Sequence, residues 1–324
     1  MVPFWATPVE FSRVVMTPLF KVRSLLPVTS LATALRKLRQ IRQLPIGAGL
    51  GAIALLLFLI APAQATDLQV SPTNPRLGDT IAVVLRPTAP GLAAPTVTMD
   101  GTSYPVFPLG GDRYRALLPT TPLDRPGRKV IQVLGMGEPR NVAITLRDRS
   151  FPVQRIWVRG GGSGGTEYEF SRVNALKEIV SPEKYWRGPF ARPAGGRVSA
   201  EYGVRRYYNG VFAENYYHRG VDYAGGQGSP VVAPAAGRVV LVGRVEDGFV
   251  LHGNSVGIDH GQGVTSIFIH LSRIDVREGD FVQSGQRIGA IGATGSATGP
   301  NLHWGLFVNG KSVDPVPWRN QGFE

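Results

Sequence analysis

Two long stretches of this 324-residue chain consist of short β-branched or aromatic runs, each closed within a few residues by Gly, Pro, Asn or Asp. A chain punctuated this way cannot sustain long helices; it must pair strands. In the first stretch the expected strands are Thr80 to Arg86, Thr96 to Met99, Ser103 to Phe107, Tyr114 to Leu118, Arg128 to Leu134 and Asn141 to Leu146, with Asp100-Gly101 as a hairpin turn. Their spacing predicts a β-sandwich-like unit over 66–158. Asp67, Asp79, Asp100, Asp112 and Asp124 lie beside Gly, Pro or strand ends, where solvated turn chemistry is expected. The second stretch, 188–324, places strands at Val231-Val232, Val239 to Val242, Val256 to Asp259, Thr265 to Ile269, Gln286 to Ile291 and His303 to Val308. The fold class is therefore all-β.

Between the two stretches, 159–187 reads as a Gly-rich linker and one helix. Thr166 and Glu169 have capping-box spacing, and Phe170, Val173, Leu176 and Ile179 or Val180 follow at helical intervals up to Pro182. That helix is expected to pack between the two β units. At the other end, Arg36, Lys37, Arg39 and Arg42 precede an apolar run from Ile46 to Ala61, and Ala63-Gln64-Ala65 supplies small residues for cleavage. Residues 1–65 thus read as a signal peptide, or as a signal anchor and membrane tether if left uncleaved. Export to the periplasm or cell envelope follows.

Charge agrees. Of a net +12, the leader holds seven basic residues against one acid, so the rest carries 28 against 22 and gives no nucleic-acid footprint. With no Cys, any transition metal must be held by His and carboxylates.

All five His, at 218, 252, 260, 270 and 303, fall in the second stretch. In HRGVDYA, His218 and Asp222 would be about 13 Å apart on an ideal strand, so a bend is expected, with Gly220 permitting it because it lacks a Cβ and tolerates unusual backbone angles. In TGPNLHWGL, Asn301 and His303 share one strand face, and in SIFIHLS His270 points opposite Ile267 and Ile269. His260 is expected to make a structural hydrogen bond near a hairpin and His252 to be surface-exposed. Tyr207, Tyr208, Tyr216 and Tyr217 could line a groove or simply pack.

The ordered motifs HRGVDYA, APAAGRVV, IDHGQGV, IFIHLS, VREGDFVQSGQRIGAIGATG and TGPNLHWGL resemble the M23 family of zinc metallopeptidases, the lysostaphin and LytM-like peptidoglycan endopeptidases. The resemblance covers about Gly188 to Trp318 and implies a compact antiparallel β catalytic domain. It implies Zn2+ held by His218, Asp222 and His303, with His270 as a catalytic residue, and a metalloendopeptidase cutting the peptide cross-links of peptidoglycan. One position departs: where the family often has a second catalytic His, this chain has Asn301, whose amide can orient water or donate to an oxyanion but cannot carry a proton. An impaired module that binds peptidoglycan or activates a separate wall hydrolase is the alternative. A biotinyl- or lipoyl-type carrier is excluded, because no Lys lies between Lys184 and Lys311.

Overall fold

The computed structural model describes residues 68–86, 95–157 and 164–323, which all belong to one compact unit. The leader and cleavage motif, Asp67 and most of the Gly-rich run lie outside the described residues. No helix among the described residues is long and apolar enough to cross a membrane.

The first eight strands are β1 (Leu68–Ser71), β2 (Thr80–Leu85), β3 (Thr96–Met99), β4 (Thr102–Tyr104), β5 (Val106–Gly110), β6 (Arg113–Pro119), β7 (Gly127–Leu134) and β8 (Arg140–Leu146). They form two antiparallel four-stranded sheets, ordered β1-β2-β6-β5 and β4-β3-β7-β8. Ile81, Val83, Leu85, Ala116 and Leu118 of the first meet Val97, Met99, Ile131, Val133 and Ile144 of the second in one core, the expected sandwich. Asp100 and Gly101 take φ of 51° and 78° between β3 and β4, as their hairpin requires. The expected strand from Ser103 to Phe107 is instead two, parted at Pro105, which has no N–H for a ladder. Asp79 is buried rather than solvated, its carboxylate accepting the Arg76 N–H at 2.8 Å.

β2 is buried almost throughout because both of its faces are covered. Ala82, with Leu117 of β6, turns away from the sandwich core into the main core of the second region, beside Trp186, Phe190 and Trp318. The junction is also hydrogen-bonded. Arg115, 1% exposed, donates to the Phe323 carbonyl at 2.9 Å and to Gln262 at 2.5 Å, and lies over the Trp186 ring. Trp318 Nε1 donates to Thr80 Oγ1 at 3.0 Å, and the Asn309 amide to the Leu117 carbonyl at 2.7 Å.

β9 (Val153–Ile156) is followed by α1 (Glu167–Glu178). The chain then forms β10 (Arg197–Ala200), β11 (Arg205–Tyr208), β12 (Val211–Phe212), β13 (Val221–Ala224), β14 (Pro230–Val232), β15 (Gly237–Gly243) and β16 (Asn254–Gly261). After them come β17 (Val264–Ile274), β18 (Phe281–Val282), β19 (Arg287–Ile291), β20 (Asn301–Val308), β21 (Lys311–Val313) and α2 (Pro315–Asn320). A ten-stranded antiparallel sheet runs β10-β13-β20-β17-β16-β15-β18, with β14, β19 and β21 attached. β9, upstream of the Gly-rich run, pairs in parallel with β11 of the second region, a crossing that strand spacing does not reveal.

The capping box of α1 forms as its spacing predicts, and the helix ends at Glu178, before Pro182. It does not pack between the two β units. Val173 and Leu176 join Leu241, Phe249, Ile267, Ile269 and Phe307, all from the second region, because that face of the large sheet carries the apolar partners the stripe needs.

Candidate metal centre

Adjacent strands bring the first two chemistry-bearing residues together. In the β13·β20 ladder Asp222 pairs directly with His303, and His218 approaches from the segment just before β13. His303 Nδ1 lies 2.8 Å from Asp222 Oδ1 and 3.0 Å from His218 Nε2, and His218 Nε2 lies 3.1 Å from the same carboxylate oxygen. Among the described residues this is the group of His and acidic side chains whose atoms converge closely enough for one ion.

The bend between His218 and Asp222 exists, and of the two properties expected of Gly220 it is the missing Cβ, not an unusual backbone angle, that serves it. Its φ is outside the left-handed region, and a Cβ there would come 2.3 Å from the Trp304 carbonyl oxygen and 2.7 Å from His303 Nε2. Close approach of backbone to the His303 ring therefore demands Gly at this position.

Protonation follows from neighbours. The Glu201 carbonyl lies 2.8 Å from His218 Nδ1 and accepts its proton, which leaves Nε2 with its lone pair directed at Asp222 and His303. Burial pushes the Asp222 carboxyl up, yet the two imidazoles set against it, His218 and His303, outweigh it and hold the group well below the usual carboxylate range. Burial holds His303 below its ordinary value, opposed by Asp222 and reinforced by His218 and His252. An acceptor nitrogen and a carboxylate thus converge on His303 Nδ1, and a proton or a cation must sit between them. The donor set fits a divalent ion. Tetrahedral coordination at about 2.0–2.2 Å separates ligand atoms by about 3.3 Å, a few tenths beyond the spacing found, and two nitrogens with one carboxylate oxygen suit zinc.

His270 enters from β17, where Ile269 pairs with His303. The ladder to β16 shifts register between Asn254↔Leu271 and Val256↔Phe268, so β17 carries one extra residue there. His270 occupies this bulge with φ of 68°. Its Nδ1 pairs with the Thr294 carbonyl at 2.9 Å, which leaves Nε2 as the acceptor. Burial, with His303 adding to it, pushes the ring down to about 4, so it is neutral at pH 7. Asn301 starts β20 opposite Ala224, and its amide donates to the Gly299 carbonyl at 2.8 Å.

His260 lies within β16 and makes the structural bonds expected of it, Nδ1 to the Ala236 carbonyl and Nε2 to Ser266 Oγ, both at 2.9 Å. His252 is not on the surface. Its side chain is only 17% exposed, because Glu169 of α1 binds its Nδ1 at 2.5 Å. Of the tyrosines, Tyr217 is buried and packs on Tyr202, while Tyr208 and Tyr216 hold the Arg206 guanidinium at 3.4 and 2.7 Å. Tyr207 packs against Phe212 and Arg155. The contribution of Glu201 escapes sequence reasoning because it is a main-chain carbonyl. That of Glu169 was half-visible, as the capping partner of Thr166.

Residues 216–315 match the profile of Peptidase family M23. Over 120 residues the chain is 40% identical to the DD-carboxypeptidase/endopeptidase Mpg of Neisseria meningitidis serogroup B, covering 37% of this chain and 26% of that protein. It is 38% identical over 120 residues to the peptidoglycan DD-endopeptidase ShyA of Vibrio cholerae serotype O1, covering 37% and 27%. The match therefore spans about a quarter of the length of these curated relatives. A crystal structure described as peptidase M23 from Pseudomonas aeruginosa is similar over 77% of this chain and 96% of that one, with 28% identity and a TM-score of 0.57.

Proposed function

Residues 216–315 belong to peptidase family M23, and from that premise we propose that the chain is a zinc-dependent endopeptidase hydrolysing the peptide cross-links of peptidoglycan in the cell envelope. The observation that carries the reading is the convergence of His218 Nε2, His303 Nδ1 and Asp222 Oδ1 within 3.1 Å of one another. Those three residues would hold the metal. When bound, zinc acidifies a water and polarises the scissile carbonyl. The relative named as a peptidoglycan DD-endopeptidase supports the substrate class.

The protein's own groups divide the remaining work. Glu201 fixes the His218 tautomer through its carbonyl, and Asp222 stays ionised under two imidazole contacts. His270 enters the reaction neutral, with Nε2 available to accept a proton or, once protonated, to donate to the developing oxyanion. Asn301 contributes no proton. Its engaged amide favours a second reading, in which the site binds metal and peptidoglycan without turnover and activates a separate wall hydrolase.

The full-length protein should carry about one zinc per chain and release new amino termini from cross-linked peptidoglycan in a chelator-sensitive way. His218→Ala and His303→Ala should lose the zinc, while His270→Ala should keep it and lose turnover. Zinc loss in His270→Ala would overturn the division of roles, and zinc retention without cleavage in the parent protein would select the binding module.

A further inference from the structure

With Asn301 unable to relay protons, the imidazole of His270 is the site's remaining proton carrier, so what fixes that ring matters. A left-handed backbone is unfavourable for a non-glycine residue and persists only where its surroundings hold it. Around His270 the restraint is a short chain of bonds. Its main-chain N–H donates to the His252 carbonyl at 2.9 Å. Its Nδ1 is held by the Thr294 carbonyl, and the Thr294 hydroxyl accepts the Asn254 N–H at 3.0 Å and donates to the Leu271 carbonyl at 2.9 Å. The Ser296 N–H donates to the Leu251 carbonyl at 2.9 Å. Leu251 to Asn254 is thus one jaw of a clamp on His270.

That jaw is in turn held from behind by α1. Glu169 is 0% exposed, and its carboxylate accepts the Leu251 N–H at 3.1 Å, the His252 N–H at 2.5 Å and the His252 ring at 2.5 Å, while reaching back to the Thr166 N–H at 3.2 Å. Thr166 Oγ1 donates to the Gly248 carbonyl at 2.8 Å, and the Phe170 ring meets the His252 ring edge-on at 6.3 Å. Capping the helix uses only the Thr166 bond. The other three hold two consecutive loop residues that capping does not involve. Burial works against the charge on Glu169, but the bonds from His252 and Leu251 outweigh it and keep the carboxylate ionised.

We propose that Glu169, acting through His252, is a positioning residue for His270: the linker helix braces the loop whose carbonyl sets the backbone of the proton-carrying imidazole. The proposal rests on the role given to His270 above. Its test is Glu169→Gln in the full-length protein, which keeps the side chain's size and removes its charge and one acceptor. The expected result is a kcat lower by about tenfold or more, as misplacement of a catalytic group produces, with KM and zinc content unchanged. By NMR, the His270 Nδ1–H, shielded by Thr294 in the parent, should exchange faster with water. Leu176→Ala serves as the control, because it loosens the same helix from its apolar partners without touching the brace. It should lower Tm yet leave kcat and the His270 resonance in place. His252→Leu keeps the main-chain bonds to the carboxylate and drops only the ring's; the same signature, several-fold smaller, is expected, and it stands in if Glu169→Gln does not fold. Retained kcat and an unchanged His270 resonance in these variants, or losses in Leu176→Ala matching those in Glu169→Gln, would overturn the proposal. Should the parent protein not cleave peptidoglycan, the functional reading fails on that result, while the His270 exchange comparison still decides the brace.

Discussion

Replacing Gly220 by Ala adds one carbon where the structure has no space for it. The new Cβ would stand 2.3 Å from the Trp304 carbonyl oxygen, against the roughly 3.0 Å below which such contacts essentially never occur, so β13 and β20 must part by about 0.7 Å. Those are the strands that carry Asp222 and His303 as direct partners. Metal–ligand distances tolerate only about 0.2 Å, so the displacement exceeds what the site can absorb. Overpacking of this kind costs about 1–3 kcal/mol, and 1.4 kcal/mol is about tenfold in affinity; zinc binding should weaken by about 10- to 100-fold. Competition against a chromogenic chelator reads the affinity, and denaturant unfolding reads the stability. Gly195→Ala is the matched control, since nothing lies within 4 Å of a Cβ there. If Gly220→Ala bound zinc as tightly as Gly195→Ala, the close packing of Gly220 on the His303 ring would not be what shapes the site.

Other outcomes follow from the same geometry. Burial pushes His260 down to about 4 from an ordinary 6.5, so the unfolded chain binds more protons between those values and stability is lost as pH falls through that window. At about 1.36 kcal/mol per unit the loss approaches roughly 3 kcal/mol at pH 4. Denaturation of the parent and His260→Gln at several pH values should show the parent's extra slope, and parallel curves would refute it. Arg115→Met removes two hydrogen bonds from a buried cation, each worth about 1.5 kcal/mol or more, and should lower stability by roughly 3 kcal/mol without altering zinc content. Asn301→His should raise turnover at constant zinc occupancy if proton transfer limits the parent; unchanged turnover would place the limit elsewhere.

Much of the fold was legible because local patterns and tertiary structure agree. Thr96–Met99 and the Asp100-Gly101 turn fall where β-branching and turn chemistry put them, and Thr166 with Glu169 forms the box its spacing promises. What escaped depends on partners distant in sequence. Val153–Ile156 becomes a strand only by pairing with Arg205–Tyr208, and α1 chooses the large sheet because Phe249, Ile267 and Phe307 lie there. His252 reads as a surface residue until a buried carboxylate 83 positions away claims its ring. At the candidate metal centre, alternation along β20 put Asn301 and His303 on one face, but the bulge at His270 and the steric need for Gly220 arise from close approaches that no periodicity encodes.

The mortised junction of Ala82, Arg115 and Leu117 with the second region bears on how the protein can be handled. Cutting the chain at Gly188 to isolate the chemistry would remove Trp186 along with Ala82, Arg115 and Leu117, strip a cover from Trp318 and leave Gln262 and the Phe323 carbonyl without their cation, producing an adhesive fragment. Screening for inhibitors or crystallising complexes should therefore begin with both β regions left joined.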